Sequence, residues 1–265
     1  MTDTKIMFFD IDGTLLSEET KKIPESAIRS IRKARQNGHK MLINTGRCLH
    51  NVDPYILDIG FDGIICACGT HIIFHDQDLL YIPPNPKACS TVVTYGLSCH
   101  LDVVFEAKDH IGFTPLDTLR PSAKELYRSC IERGFEPCMN ISDKDFWFDK
   151  FVVWIEADSD FSTFLKAVSP YFTCIDRSDK FKEFVPNGYS KASGIKFLLN
   201  HLNIPLEHAY AVGDSNNDLP MLEYVPNSIA MGNSQPTSLF QKVSYVTKSV
   251  EEDGIEHALK HFHFI

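Results

Sequence analysis

Short apolar runs separated by helical patterns recur at both ends of the chain: Ile6 to Phe9, Met41 to Ile43, Gly63 to Ala67, Ala209 to Val212, Ser228 to Met231 and Val243 to Val246. A strand buried on both faces reads as a continuous apolar run, so this alternation predicts a parallel sheet with crossover helices. Pro24 to Asn37 fits the first crossover. Pro stands near its start, Ile28, Ile31 and Ala34 or Arg35 stack at three- and four-residue spacing, and Gly38 stops it. Lys191 to about Leu202 predicts another helix, with Ile195, Leu198, Leu199 and Leu202 on one face and Ser190 placed to cap it.

The stretch from Pro83 to Val185 breaks this rhythm. It opens on Ile82-Pro83-Pro84-Asn85-Pro86 and mixes helical segments (Lys87 to Leu97, Ala123 to Arg133) with strands (Lys150 to Ala157, Tyr171 to Ile175, Phe181 to Val185). The βα alternation resumes only at Ser190. We therefore expect an αβ domain at residues 83–185 inserted into a first domain made of residues 1–82 and 186–265. There is no internal repeat.

Composition narrows the function classes. The chain of 265 residues suits one or two domains, and 43% hydrophobic with 23% charged residues is ordinary globular usage that argues against disorder. Lys and Arg number 26 against 35 Asp and Glu, a net charge of −9 with no long basic run, so a nucleic-acid partner has no support. The sequence holds no apolar stretch long enough to span a membrane, and its charged N-terminus is unlike a signal peptide, which together predict a cytoplasmic protein. The eight cysteines read as free thiols, because a chain of this length needs no staples.

Candidate chemistry sits at the strand ends. Asp10-Ile11-Asp12-Gly13-Thr14 follows the first strand, and ligands of open α/β sheets bind outside the carboxyl ends of the strands. A calcium loop is excluded by counting from Asp10, since its required Gly and Glu positions fall on Leu15 and Lys21. A plain turn-forming Asp stays open for the motif alone. Two further strands end in Asn44-Thr45-Gly46-Arg47 and in Gly213-Asp214-Ser215-Asn216-Asn217-Asp218, so three polar termini would share one crevice. Taken singly, the first could be a polar turn with a surface Arg. The second could be a helix-capping cluster, which explains one or two of its residues but not both acids. Lys191, in a helix's first turn, opposes the macrodipole at a cost of about 0.3–1 kcal/mol; it is either a solvated lysine or one with a function.

Two other features draw the eye. Cys66 and Cys68, on one face of a strand by its period, lie near His71 and His75, but the spacing departs from that of structural zinc sites and fits a core strand with its exit loop. Phe146-Trp147-Phe148 could line a pocket; strand alternation points instead to the inserted domain's core or edge.

Taken together, Asp-Ile-Asp-Gly-Thr at 10–14, Thr45-Gly46-Arg47, Ser190-Lys191 and Gly213 to Asp218 resemble the four motifs of the haloacid dehalogenase superfamily. Their order, and the large insertion between the second and third, is similar to its Cof-type sugar-phosphate phosphatases. The segment Phe181 to Lys191 is similar to that family's return from cap to core. Two places depart. Cys68-Gly69-Thr70 stands where the family often has Asn-Gly-Ala, so no substrate contact is carried over to position 68, and Ala-Ser-Gly follows the lysine, which alters helix packing only.

The resemblance implies a doubly wound, Rossmann-like parallel sheet core with an inserted αβ cap domain, and a Mg²⁺-dependent phosphatase of small phosphorylated metabolites. Hydrolysis of a phosphate monoester needs charge neutralisation and in-line positioning, because an anion must approach an anion. Asp10 suits the nucleophile of an aspartyl-phosphate route, and Asp12 suits the acid that protonates the leaving alkoxide and then the base that activates water. By resemblance, Mg²⁺ would be held by Asp10, the backbone carbonyl of Asp12 and Asp214, with Asp218 behind them. Thr45, Lys191 and Asn217 would hold phosphoryl oxygens, and Arg47 would touch the substrate. Two rival functions are a phosphomutase of the same superfamily and a sugar-phosphate-binding regulatory module without turnover.

Overall fold

The computed structural model describes residues 4–83, 85–138, 140–141 and 145–265. Pro84 of the Pro-rich stretch and the first three residues lie outside the described residues. Among the described residues, thirteen strands are assigned. β1 (Ile6–Phe9), β2 (Lys40–Asn44), β3 (Gly63–Cys66), β4 (His71–Phe74) and β5 (Gln77–Tyr81) come first. β6 (Asp102–Glu106), β7 (Ile111–Phe113), β8 (Lys150–Trp154), β9 (Phe172–Asp176) and β10 (Phe181–Pro186) follow, and β11 (Ala209–Ser215), β12 (Asn227–Gln235) and β13 (Tyr245–Val246) close the chain. By contacts the chain divides into two compact units: Met1–Gly46, Val52–Tyr81 and Tyr189–Ile265 in the first, Arg47–Asn51 and Ile82–Gly188 in the second.

The first unit is an eight-stranded sheet in the order β13-β12-β11-β1-β2-β3-β4-β5. β1 pairs in parallel with both β11 and β2, and all four of its residues are fully buried, which is why the run Ile6-Met7-Phe8-Phe9 shows no polar alternation. One layer of core joins Ile6, Phe8, Leu42 and Ile65 to Ile195, Leu198 and Leu199 of the helix Lys191–Leu202. The chain leaves β1 toward β2 on one side and reaches β11 on the other, so the carboxyl ends of β1, β2 and β11 flank the point where the winding reverses.

The helices form where the pattern places them. The first spans Glu25–Gln36 with Pro24 as its N-cap and Ser26, Ala27, Ser30, Ile31 and Ala34 buried. The second spans Lys191–Leu202 and starts on a capping box in which Ser190 and Ser193 serve each other's backbone N–H groups. Three differences from the sequence reading stand out. The sheet is mostly rather than wholly parallel, because β4 and β5 run antiparallel on one edge. The third strand stops at Cys66, and Ala67 and Cys68 take left-handed backbone (φ 48 and 54), so Cys68 leaves the face that strand period gave it. Phe146 to Phe148 form no strand, although Phe148 is fully buried in the second unit's core.

That second unit is a five-stranded antiparallel sheet ordered β7-β6-β8-β10-β9. Alternate residues split between its faces as the pleat requires. Val103, Phe105, Phe151, Val153 and Phe184 pack with the helices Pro86–Ser98 and Phe161–Val168, while Val104 and Val152 pack with the helix Pro121–Glu132. None of the eight cysteines is paired in a disulfide. Among the described residues, no helix is long and apolar enough to cross a membrane.

Candidate active site

Asp10 stands one residue past β1, still tied to β11 by its N–H to the Val212 carbonyl at 3.1 Å, and it is 4% exposed. From there the chain folds back in a tight turn, with Leu16 N–H on the Ile11 carbonyl at 2.8 Å and Gly13 N–H on the Leu16 carbonyl at 2.9 Å. Gly13 is required twice over. Its φ of +74 suits glycine, and a Cβ there would lie 2.3 Å from Asp214 Oδ2. The same turn brings Thr14 Oγ1 to donate to Asp214 Oδ1 at 3.2 Å, and Asn233 Nδ2 donates to the Gly13 carbonyl at 2.8 Å. Gly13→Ala is therefore expected to displace Asp214 and lower kcat/KM by at least about 10²-fold while circular dichroism stays native. Steady-state kinetics with a Mg²⁺ titration would check it, and a wild-type profile would contradict it.

Lys191 is the hub of the site. It is 1% exposed, and its Nζ donates to Asp10 Oδ1 and to Asp218 Oδ1, each at 2.5 Å. Asp218 Oδ2 accepts from the backbone N–H groups of Asp214 at 2.9 Å and Ser215 at 3.1 Å. Both oxygens of Asp218 are thus engaged by the protein, as suits a residue that orients its neighbours. The close approach of the Lys191 helix to the β3 exit depends on two glycines. A Cβ on Gly69 would meet the Ser190 carbonyl at 2.3 Å, and one on Gly194 would meet Ile65 Cγ2 at 2.6 Å.

Charge is crowded here. Carboxylate oxygens of Asp10, Asp214 and Asp218 lie within 4.8 Å of one another, with the Lys191 ammonium among them. Burial, then the Asp218 charge, pushes Asp10 up to about 7 although Lys191 pulls the other way. Burial, then Asp218 and Asp10, pushes Asp214 up to about 9. For Lys191, burial alone would lower the pKa, but Asp10 and Asp218 hold it above the ordinary lysine value, so it stays charged. Oxygen-only donors with excess negative charge are what a hard divalent cation such as Mg²⁺ requires, so these residues fit one.

The structure brings together Asp10, Lys191, Asp214 and Asp218, named from sequence, and joins Thr14 to them. Thr45 is buried just past β2, its N–H on the Ile65 carbonyl and its carbonyl taking the Cys68 N–H. Asn217 is buried in the turn just past β11, where its Oδ1 accepts from Ser215 Oγ at 2.5 Å. Asp12 is only partly buried, and its charge contributes to raising Asp10. Arg47 lies in the second unit, where its guanidinium donates to the Asn51 carbonyl at 3.1 Å. Sequence reading missed Asn233, whose amide grips both the Gly13 carbonyl and the Val250 N–H, because an isolated Asn far along the chain carries no local signal of that contact.

A doubly wound sheet with three acids and a lysine at its switch point has known counterparts. The profile of the haloacid dehalogenase-like hydrolases matches residues 7–259. YkrA of Bacillus subtilis (strain 168), which carries the provisional name of a phosphatase, is 30% identical over 97% of both chains. Among solved structures, the sugar phosphatase BT4131, of subclass IIB in the same superfamily, superposes with a TM-score of 0.84 at 25% identity, covering 99% of this chain and 100% of that one. A hypothetical protein of Geobacillus kaustophilus HTA426 gives 0.85 at 26% identity, with the same coverage. The chain belongs to the haloacid dehalogenase-like hydrolases, in their Cof-type branch. Within that family it is a phosphoric monoester hydrolase.

Proposed function

We propose that the chain is a Mg²⁺-dependent phosphatase of small phosphorylated metabolites, sugar phosphates above all, that works through an aspartyl-phosphate on Asp10. The observation that carries this reading is the buried contact of Lys191 with Asp10, beside Asp214 and Asp218. A nucleophilic carboxylate is useful only where cations offset both its own charge and that of the incoming phosphate.

Asp10 attacks phosphorus as the bond to the leaving oxygen breaks, and Asp12 delivers a proton to that oxygen. Asp12, now a carboxylate, takes a proton from water as the water attacks the aspartyl-phosphate. Inorganic phosphate departs and Asp10 is regenerated. Thr45, Lys191 and Asn217 hold the phosphoryl oxygens, and Asp218 keeps the Lys191 ammonium in place. Mg²⁺, held by Asp10, the Asp12 carbonyl and Asp214, would neutralise charge on the phosphoryl group. Residues 83–185 serve as a cap that selects the substrate, with Arg47 on the substrate side, and residues 1–82 and 186–265 carry the chemistry. BT4131, named as a sugar phosphatase, supports the substrate class.

The test is phosphate release from a panel of sugar phosphates, with p-nitrophenyl phosphate as the generic substrate. Chelation should silence the enzyme and Mg²⁺ should restore it. Ca²⁺ should not, since its longer and looser coordination misplaces the phosphoryl group. Asp214→Ala should raise the Mg²⁺ requirement by at least about tenfold or abolish turnover. Full activity in chelator would overturn the reading.

A further inference from the structure

One buried polar side chain beside the site has no part in the mechanism above. Asn44 ends β2, a strand whose pattern puts Leu42 and position 44 on the same face, toward the core layer containing Ile195, Leu198 and Met221. An apolar residue is expected at such a position. Asn44 is instead fully buried, with Nδ2 donating to the Lys191 carbonyl at 3.0 Å and lying 3.5 Å from Met221 Sδ. Its Oδ1 is buried with no hydrogen-bond partner, a penalty that an aliphatic side chain would not carry. Nor does the helix need the bond, because the carbonyl of a helix's first residue is already served by the N–H four residues on. The amide thus does something other than satisfy the backbone.

Its place suggests what. Asn44 is covalently joined to Thr45 and hydrogen-bonded to the residue that carries the Nζ, so it ties the end of β2 to the start of the helix Lys191–Leu202. The capping box fixes how the helix begins, and Gly69 and Gly194 fix how near it comes to β3, but neither fixes its register along β2. We propose that Asn44 is a positioning residue for phosphoryl transfer: by holding the Lys191 carbonyl it sets where the ammonium stands relative to Asp10 and to Thr45. This rests on the reading that Lys191 holds phosphoryl oxygens.

The experiment compares Asn44→Leu, near in size but without a donor, with wild type. A small displacement of an aligned charge costs up to about 10²-fold in rate, so kcat should fall about 10- to 100-fold. KM should change less than about threefold, and the inhibition constant of orthovanadate, a mimic of the trigonal phosphoryl group, should rise in step with the loss in kcat. The melting temperature should hold or rise, since the unpartnered oxygen is gone. A purely structural role predicts the reverse, a lower melting temperature with kcat per folded molecule unchanged, and that result would overturn the proposal. If the Leu variant fails to fold, Asn44→Ala allows the same comparison. Lys191→Ala separates the two layers of argument. Should it keep more than a tenth of turnover, the reading of Lys191 fails. Should it be inactive while Asn44→Leu and Asn44→Ala keep wild-type kcat, only this proposal fails.

Discussion

Asp10→Asn is expected to abolish turnover, with a loss of at least about 10⁴-fold in kcat, while the protein stays folded. The amide keeps the size of the carboxylate and can still accept from the Lys191 ammonium, which also retains Asp218 as its partner. On the proposed mechanism, what disappears is the nucleophile itself and one of the charges available to a cation. Stability should be little affected, because Asp10 is a buried anion crowded by Asp218 and Asp214, and neutralising one of three carboxylates relieves repulsion. The checks are single-turnover and steady-state phosphate release beside a thermal melt in chelator. Turnover at a tenth of the wild-type rate would sink the nucleophile assignment. A melting temperature lowered by tens of degrees would mean that the Asp10 charge is needed for the fold.

How far the site could be read in advance follows from where its determinants lie. The motifs at the ends of β1, β2 and β11 were legible because those strands are short, apolar and buried on both faces, so the first polar residue after each run marks an exit into the crevice. The helix Lys191–Leu202 was legible for similarly local reasons, a Ser cap and one apolar face. The burial of Lys191 was not. A lysine in a first helical turn looks solvated, and what overrides that expectation are carboxylates 181 and 27 residues away in sequence. The edge strand β5 escaped because an exposed edge keeps polar residues, as Gln77 and Asp78 show, and gives no continuous apolar run. The left-handed turn at Ala67 and Cys68 escaped for another reason. Neither residue type favours that conformation, so nothing in the local sequence announces that the strand ends at Cys66.

Asp12→Asn should separate the two roles proposed for the paired carboxylates. Asp12 is partly exposed, whereas Asp10 is 4% exposed against Lys191, so Asp12 is the carboxyl better placed to exchange protons with solvent. On the proposed mechanism, removing its carboxyl takes away the proton for the leaving oxygen in the first half-reaction and the base for water in the second. An alkyl phosphate leaves as a strongly basic alkoxide and depends fully on that proton. The p-nitrophenolate ion leaves unaided, so only the second half-reaction should suffer with it. The expected result is a loss of about 10²–10⁴-fold on a sugar phosphate and a smaller loss on p-nitrophenyl phosphate. Because the first step then outruns the second, mixing Asp12→Asn with the aryl substrate should give a burst of nitrophenolate approaching one equivalent per active site, followed by slow steady release. The burst also tests the covalent route, since direct attack of water on the substrate leaves no phosphorylated enzyme to accumulate. Equal fractional losses on both substrates, with no burst, would remove Asp12 from the acid–base role and leave it a structural member of the Gly13 turn.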